Sequence, residues 1–408
     1  MLSNEVIEKV SERLVNRIEQ GNEYILEQIG KKIKKIGTLT PKEAHNLIQV
    51  FKYGGDYEKI IKQLAKITKL NANDIKKMFE EIAKSDYEFS KQFYQFRNKK
   101  FIPYEENLVL KNQVDAIAEI TAKKYMEFAR SKMLGYSIRD NKNNLIFTGL
   151  KEVYDKVIDQ AVLSIAQGKS NYYDQMRKII NEIGGSGLKT LDYGDRTLRL
   201  DSAIRMHIDD SLRQLHNETQ KILGKDFDSD GVEITVHENP APDHQEVQGK
   251  QFSNKEFNNF QNDKKAISYD GVVFPPEHNG HDRRSISEYN CKHYTFSIIL
   301  GVNIPQYTNK QLQEIIDRNN KGFNFEGKHY SMYEGTQLQR NIEREIRKQK
   351  DIQIFAKESG DIETIRKSQT KITQLNNKYK KLSEISGLPQ KKSRLRVSGY
   401  KRTRVWLI

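Results

Sequence analysis

Residues 231–253 read GVEITVHENPAPDHQEVQGKQFS, and they mark the point where the chain acquires a sheet. Apolar and polar side chains alternate from Gly231 to His237, the period of a strand with one buried face. The same stretch holds two prolines, Pro240 and Pro242, two histidines and an aspartate. The Gln248-Gly249-Lys250 tripeptide supplies a turn before Gln251-Phe252-Ser253. Upstream of this stretch helical periodicity dominates; around it lie short extended segments. The fold class expected is therefore α+β, mostly α: a helical N-terminal region, a small α+β middle domain, and long C-terminal helices with a basic tail.

Apolar residues at Val6, Val10, Leu14 and Ile18, and again at Ile25, Ile29, Ile33 and Ile36, form a helix stripe that predicts one or two helices, broken near Gly21. Thr40-Pro41-Lys42-Glu43 has the form of a capping box and predicts a helix running on to Gly54-Gly55. Helical patterns continue to Gly184-Gly185-Ser186-Gly187, including a long one from about Asn107 to Lys132. Thr190–Tyr193 and Thr197–Leu200 then flank Gly194-Asp195 as a short hairpin, and Asp201 or Ser202 caps a helix to about Leu223. The apolar run YTFSIIL before Gly301 reads as a second strand of the middle domain. Helices are expected over Asn309–Asn319, Gly335–Ala356 and Ile362–Leu382. The domain boundaries that follow are 1–185 (helical), 186–308 (α+β, containing the histidines and the cysteine), 309–388 (charged helices) and 389–408 (a basic tail expected to be flexible).

Hydrophobic residues make up 36 % of the chain and charged residues 30 %, with a mean hydropathy of −0.79. That balance suits long helices with narrow apolar stripes. An apolar run long enough to span a bilayer is absent, as is a cationic leader, so neither membrane insertion nor ordinary secretion is expected. The single cysteine, Cys291, rules out an internal disulfide framework and fits a reducing compartment. The net charge is +14, and it is unevenly placed: residues 340–408 carry nineteen Lys and Arg against seven Asp and Glu, a net +12. Beyond Pro389 every charged residue is basic. Such a concentration favours a polyanion, because each cation that neutralises a phosphate releases a counterion. The candidate DNA contacts are Lys391, Lys392, Arg394, Arg396, Lys401, Arg402 and Arg404, with no sequence preference.

Seven of the nine histidines fall between His207 and His293, which makes that region the place to look for chemistry. His237, His244, Cys291 and His293 are the candidate metal ligands, with Asp243 as an alternative to His244. Imidazole and thiolate are the usual ligands of zinc, and Cys291 and His293, two apart in an extended segment, point to one face. The spacing matches no compact zinc signature. A ββα-metal nuclease reading, with Asp243-His244 followed by Asn258, fails at its third member, where Ile267 stands in place of a ligand. Neither a phosphate-binding loop nor a dinucleotide fingerprint nor a nucleophile elbow occurs. No catalytic residues are assigned, and the chain is not expected to be an enzyme.

The order of these segments resembles the minor capsid protein 2 family of tailed bacteriophages, relatives of the Mu F-like head-morphogenesis proteins. The resemblance is carried by LDYGDRTLRLDSAIR, VEITVHENPAPDH, VQGKQFS, YNCKHYTFSIILGV and YEGTQLQRNIEREIRKQK, and extends loosely over most of the chain. Family members typically place one histidine after a strand, a second before a Gly-Lys pair, and an Asn-Cys-Arg-His segment. Here those positions are His237, His244, Gly249-Lys250 and Asn290-Cys291-Lys292-His293. Two departures stand out: Val247 where tryptophan is common, and Lys292 where arginine is usual. The resemblance implies a low-copy structural component of the virion, made in the bacterial host cytoplasm. It implies a place at the portal vertex or in the head interior, with the portal, other capsid proteins and double-stranded DNA as partners. It also strengthens the expectation of a bound zinc. The alternative is a metal-dependent nuclease or toxin-like enzyme using the His/Cys cluster.

Overall fold

The computed structural model describes residues 4–44, 54–69, 72–128, 133–140, 142–166, 172–191, 197–278, 281–288 and 291–403. Its helices are α1 (Asn4–Ile36), α2 (Gly54–Thr68), α3 (Ala72–Phe89), α4 (Lys91–Phe96), α5 (Leu108–Phe128) and α6 (Leu150–Ala166). They continue as α7 (Tyr172–Ser186), α8 (Leu200–Asp226), α9 (Asn254–Asp263), α10 (Asn309–Lys321), α11 (Met332–Ser359) and α12 (Ile362–Ser386). The strands are β1 (Leu134–Arg139), β2 (Leu145–Gly149), β3 (Lys189–Leu191), β4 (Thr197–Arg199), β5 (Gly231–Ile234) and β6 (Gln251–Ser253). Further short strands follow: β7 (Ala266–Ile267), β8 (Val273–Phe274), β9 (Glu277–His278), β10 (His281–Asp282), β11 (Thr295–Ile298), β12 (Phe323–Phe325) and β13 (Lys328–Tyr330). The class is α+β, mostly α, with a helical N-terminus and long C-terminal helices, as the sequence predicts. None of the described helices is long and apolar enough to cross a membrane.

Two compact units share the chain in alternation. The first comprises Met1–Ser11, Asn71–Lys123 and Met206–Leu338; the second comprises Glu12–Leu70, Lys124–Arg205 and Gln339–Ile408.

In the first unit an antiparallel sheet is ordered β11-β5-β6, with Thr295 opposite Ile234 and Gly231 opposite Ser253. One face buries Ile234, Val247, Phe252, Phe260, Ala266, Phe274 and Ile286 as a single apolar cluster. Burial of this kind is worth roughly 1.5–3 kcal/mol for each large side chain. Helix α8 satisfies the backbone along β11: the Ser297 amide donates to Gln220 Oε1 at 3.1 Å, and His216 Nε2 lies 3.0 Å from the Thr295 carbonyl. The strand expected from Gly231 to His237 stops at Ile234, and the prolines send the chain into a series of turns. Those turns close at Gly249, whose φ of +70° suits glycine and where a Cβ would meet Val236 and Leu312.

The second unit holds a four-stranded antiparallel sheet ordered β2-β1-β3-β4. The β3–β4 hairpin matches its sequence reading, with Thr190 opposite Leu198; Gly194 and Asp195 lie outside the described residues. The β1–β2 hairpin departs from the sequence reading, which expects only helix in this region. It pairs Gly135 with Gly149 through Arg139 with Leu145 and turns on Asp140, whose carboxylate accepts from the Lys142 and Asn144 amides. Helix α1 is continuous and does not break at Gly21. That glycine serves close packing, because a Cβ there would stand 2.8 Å from Leu64 and 3.2 Å from Thr68 of α2. The capping box at Thr40 forms, with the Glu43 amide donating to Thr40 Oγ1 at 3.3 Å and the Thr40 amide donating to Glu43 at 2.7 Å. The continuation of that helix falls on residues 45–53, outside the described residues.

Candidate metal centre and basic tail

Three of the four candidate ligands converge in the first unit. His244 comes from the turns between the prolines and Gly249, while Cys291 and His293 come from the segment entering β11. Their ligand atoms all lie within 4.8 Å of one another. Cys291 Sγ is 3.6 Å from His244 Nδ1 and 3.6 Å from His293 Nδ1. The outer nitrogens face acceptors: His244 Nε2 lies 2.9 Å from the Arg284 carbonyl, and His293 Nε2 lies 3.2 Å from Gln248 Oε1. A carbonyl can only accept, so each ring carries its proton on Nε2 and turns an Nδ1 lone pair toward the sulfur. The Gln248 amide is itself oriented, since the same Oε1 accepts from the His237 backbone amide at 3.1 Å.

The three groups are almost fully withdrawn from water, at 1 %, 4 % and 1 % exposure for His244, Cys291 and His293. Burial holds His244 below the usual histidine range, against the raising influence of Asp243. His293 lies well below that range through burial and through its neighbours His237 and His244. Burial pushes the Cys291 thiol up, although backbone hydrogen bonds at His293 and Ser287 favour the thiolate. Burial thus favours the neutral imidazoles and the thiol form of Cys291; zinc takes imidazole in that form, and takes the sulfur as thiolate once its proton is released.

His237 is placed differently from the other three. Its ring packs against His293 with centroids 4.5 Å apart, but its nitrogens are not part of the convergent group. Asp243 is engaged elsewhere, receiving Arg284 Nε at 2.7 Å and Arg284 Nη2 at 3.0 Å. Gln248 and Arg284, which set the two ring orientations, had no signal in the sequence: one acts through a side-chain amide among many, the other through its backbone carbonyl. Asn290 lies outside the described residues.

Of the candidate DNA contacts, Lys392, Arg396, Lys401 and Arg402 are exposed and Lys391 and Arg394 are half-buried; Arg404 lies outside the described residues. From Lys391 to Thr403 the tail is tied down through its backbone. The Lys391 amide donates to Tyr379 Oη at 2.9 Å, Arg347 Nη1 donates to the Arg394 carbonyl at 3.0 Å, and the Thr403 amide donates to Gln369 Oε1 at 3.0 Å. Lys350 and Lys357 donate to the Leu395 and Lys401 carbonyls, and Ser398 Oγ bonds Glu23.

The second unit also holds a buried ionic cluster that the periodicity of its helices conceals. Arg199 donates to Asp201 and to Asp351, each at 3.1 Å, and Arg347 Nε stands 3.4 Å from Asp201. Asn22 of α1 donates to Asp351 at 3.1 Å. Burial, with Asp201 and Asp351 nearby and only partly offset by Arg347 and Arg199, pushes the Glu19 carboxyl up to about 8.

A family model, phage minor capsid protein 2, matches residues 2–383. No curated protein and no solved structure matches the chain.

Proposed function

The chain belongs to the phage minor capsid protein 2 family, and from that premise we propose that it is a head component at the portal vertex or in the head interior that contacts packaged DNA without sequence preference. Membership in a capsid family implies a structural role among other capsid proteins. The observation that carries the DNA contact is charge placement: +12 of the net +14 sits in residues 340–408. Four of the cations beyond Pro389 are exposed, and none there is answered by an acidic residue of the same segment. A surface of this kind gains affinity by counterion release rather than by reading base edges.

The test is binding of the purified chain to labelled duplexes of unrelated sequence across a salt series. Affinities should agree between sequences and fall steeply as salt rises; salt-independent binding, or none at low salt, would sink the DNA contact. Cross-linking within intact virions tests the position, which requires links to the portal ring; links confined to the outer shell would refute it. A hydrolytic role for the His/Cys cluster is the less supported reading, because a polynucleotide phosphate needs access to the metal and these side chains are buried.

A further inference from the structure

We infer that His244 Nδ1, Cys291 Sγ and His293 Nδ1 form a three-ligand seat for a zinc-class divalent cation, with a non-protein fourth ligand and with His237 outside the coordination sphere. The three side chains are one proton short. With both imidazole protons on Nε2, two Nδ1 lone pairs face one sulfur that carries a single proton. The thiol can satisfy one of them; the next acceptor in reach of the sulfur, the His293 carbonyl, is 4.0 Å away. The His293 backbone amide meanwhile donates to the sulfur at 3.4 Å, which brings a further donor to Sγ and none to the imidazoles. A buried acceptor left without a donor costs about 1–3 kcal/mol. A cation at the centre removes that cost by accepting all three lone pairs, with release of the thiol proton.

The two sulfur–nitrogen distances suit this ion. Ligands about 2.3 Å (sulfur) and about 2.0–2.1 Å (nitrogen) from a tetrahedral centre stand about 3.6 Å from each other. Both sulfur–nitrogen separations here are 3.6 Å. The outer nitrogens are bonded to a carbonyl and an amide oxygen, the arrangement that orients metal-bound imidazoles. Soft thiolate with imidazole selects zinc-like ions over magnesium or calcium. Zinc prefers four ligands in a tetrahedron, and the convergent group supplies three, which leaves the fourth position to a non-protein ligand.

The role that follows is a staple. The seat joins the turn segment after β5 to the segment entering β11, two stretches forty-seven residues apart in sequence.

The experiment is metal analysis of the purified full chain, followed by replacement with Co²⁺. The inference predicts one zinc per chain and, in the cobalt form, the visible bands of a tetrahedral site with a thiolate-to-cobalt charge-transfer band. Cys291→Ser should lose the charge-transfer band, His293→Ala should lose stoichiometric metal, and His237→Ala should retain both. Absence of stoichiometric metal and of a charge-transfer band in the wild type, after exposure to each ion, would overturn the site. Loss of metal from His237→Ala as complete as from His293→Ala, with both variants folded by circular dichroism, would overturn the three-residue assignment. DNA binding plays no part in the readout, so its failure and this one are distinguishable.

Discussion

Arg283 is among the largest fully buried side chains, at 2 % exposure, and it shows what a single residue contributes beside the histidines. Its Nε donates to the Pro275 carbonyl at 3.0 Å, Nη1 to the Asp243 carbonyl at 2.9 Å and Nη2 to Glu246 at 2.7 Å, while the guanidinium lies over Phe274. One planar fork thereby fixes the turn that carries His244. A lysine has neither the fork nor the reach to three acceptors. Arg283→Met should lower stability by about 3 kcal/mol in urea unfolding, since two carbonyls lose a buried donor, and Arg283→Lys should recover less than half of it. A decrease under about 0.5 kcal/mol for Arg283→Met would show that the turn holds without the fork. At this scale the histidine and cysteine side chains were legible in the sequence, because their residue types are scarce and chemically distinctive. Their arrangement was not: the hydrogen bonds that aim His244 and His293 run to a backbone carbonyl and a glutamine, groups that no residue pattern singles out.

Among elements, α1 carries the clearest consequence of packing. Its stripe predicts an amphipathic helix, and the stripe residues Ile25, Ile29 and Ile33 are withdrawn from solvent. What the stripe does not disclose is that Glu19 and Asn22 face the cluster formed with Arg199 and Asp201, and with Arg347 and Asp351 of α11, because those partners lie about 180 to 330 residues away. The β1–β2 hairpin is hidden for a different reason. Its alternation is short, and its turn, at Asp140 to Asn144, is masked between two strong helical patterns. The Glu19 environment makes a pH prediction. A carboxyl whose folded pKa is raised from 4.5 to about 8 binds its proton more tightly in the native state. Its contribution is therefore fully present below about pH 4.5 and is lost as pH rises toward about 8. Asp351, pushed up to about 6 by burial against the opposing Arg199, adds a similar loss at lower pH, whereas Asp201, held down against burial by Arg199 and Arg347, acts in the opposite sense. Glu19→Gln should match wild type near pH 4 and exceed it by on the order of 2 kcal/mol at pH 9, a figure reduced from the full shift because Glu19 is partly exposed. Unfolding series at several pH values give the difference directly; parallel curves for the two proteins would refute the assignment.

For the whole molecule, composition foretold long polar helices and an uneven charge. The alternation of two units along the chain had no sequence signal, since no linker composition marks the crossings. The tail poses the sharper problem, because deleting it would confound two effects. It carries the exposed cations proposed to meet DNA, and its backbone satisfies Arg347, Lys350 and Lys357 of α11. Those bonds are accepted by carbonyl groups, so the tail's own charges can be removed while its docking is kept. A variant with glutamine at Lys391, Lys392, Arg396, Lys401 and Arg402 should unfold within about 1 kcal/mol of wild type, as surface substitutions do. Its dependence of log affinity on log salt should flatten by up to about 4.5, at roughly 0.9 for each phosphate no longer neutralised. Truncation after Pro389 should reproduce the flattening and also lower stability, since Tyr379 and Gln369 are deprived of partners as well. If the glutamine variant binds duplex DNA with the salt dependence of wild type, the cations that meet DNA lie elsewhere, and the exposed Lys371 and Lys381 of α12 become the next to test. If it unfolds as readily as the truncation, the tail's charges themselves hold it in place, and the separation of docking from DNA binding fails.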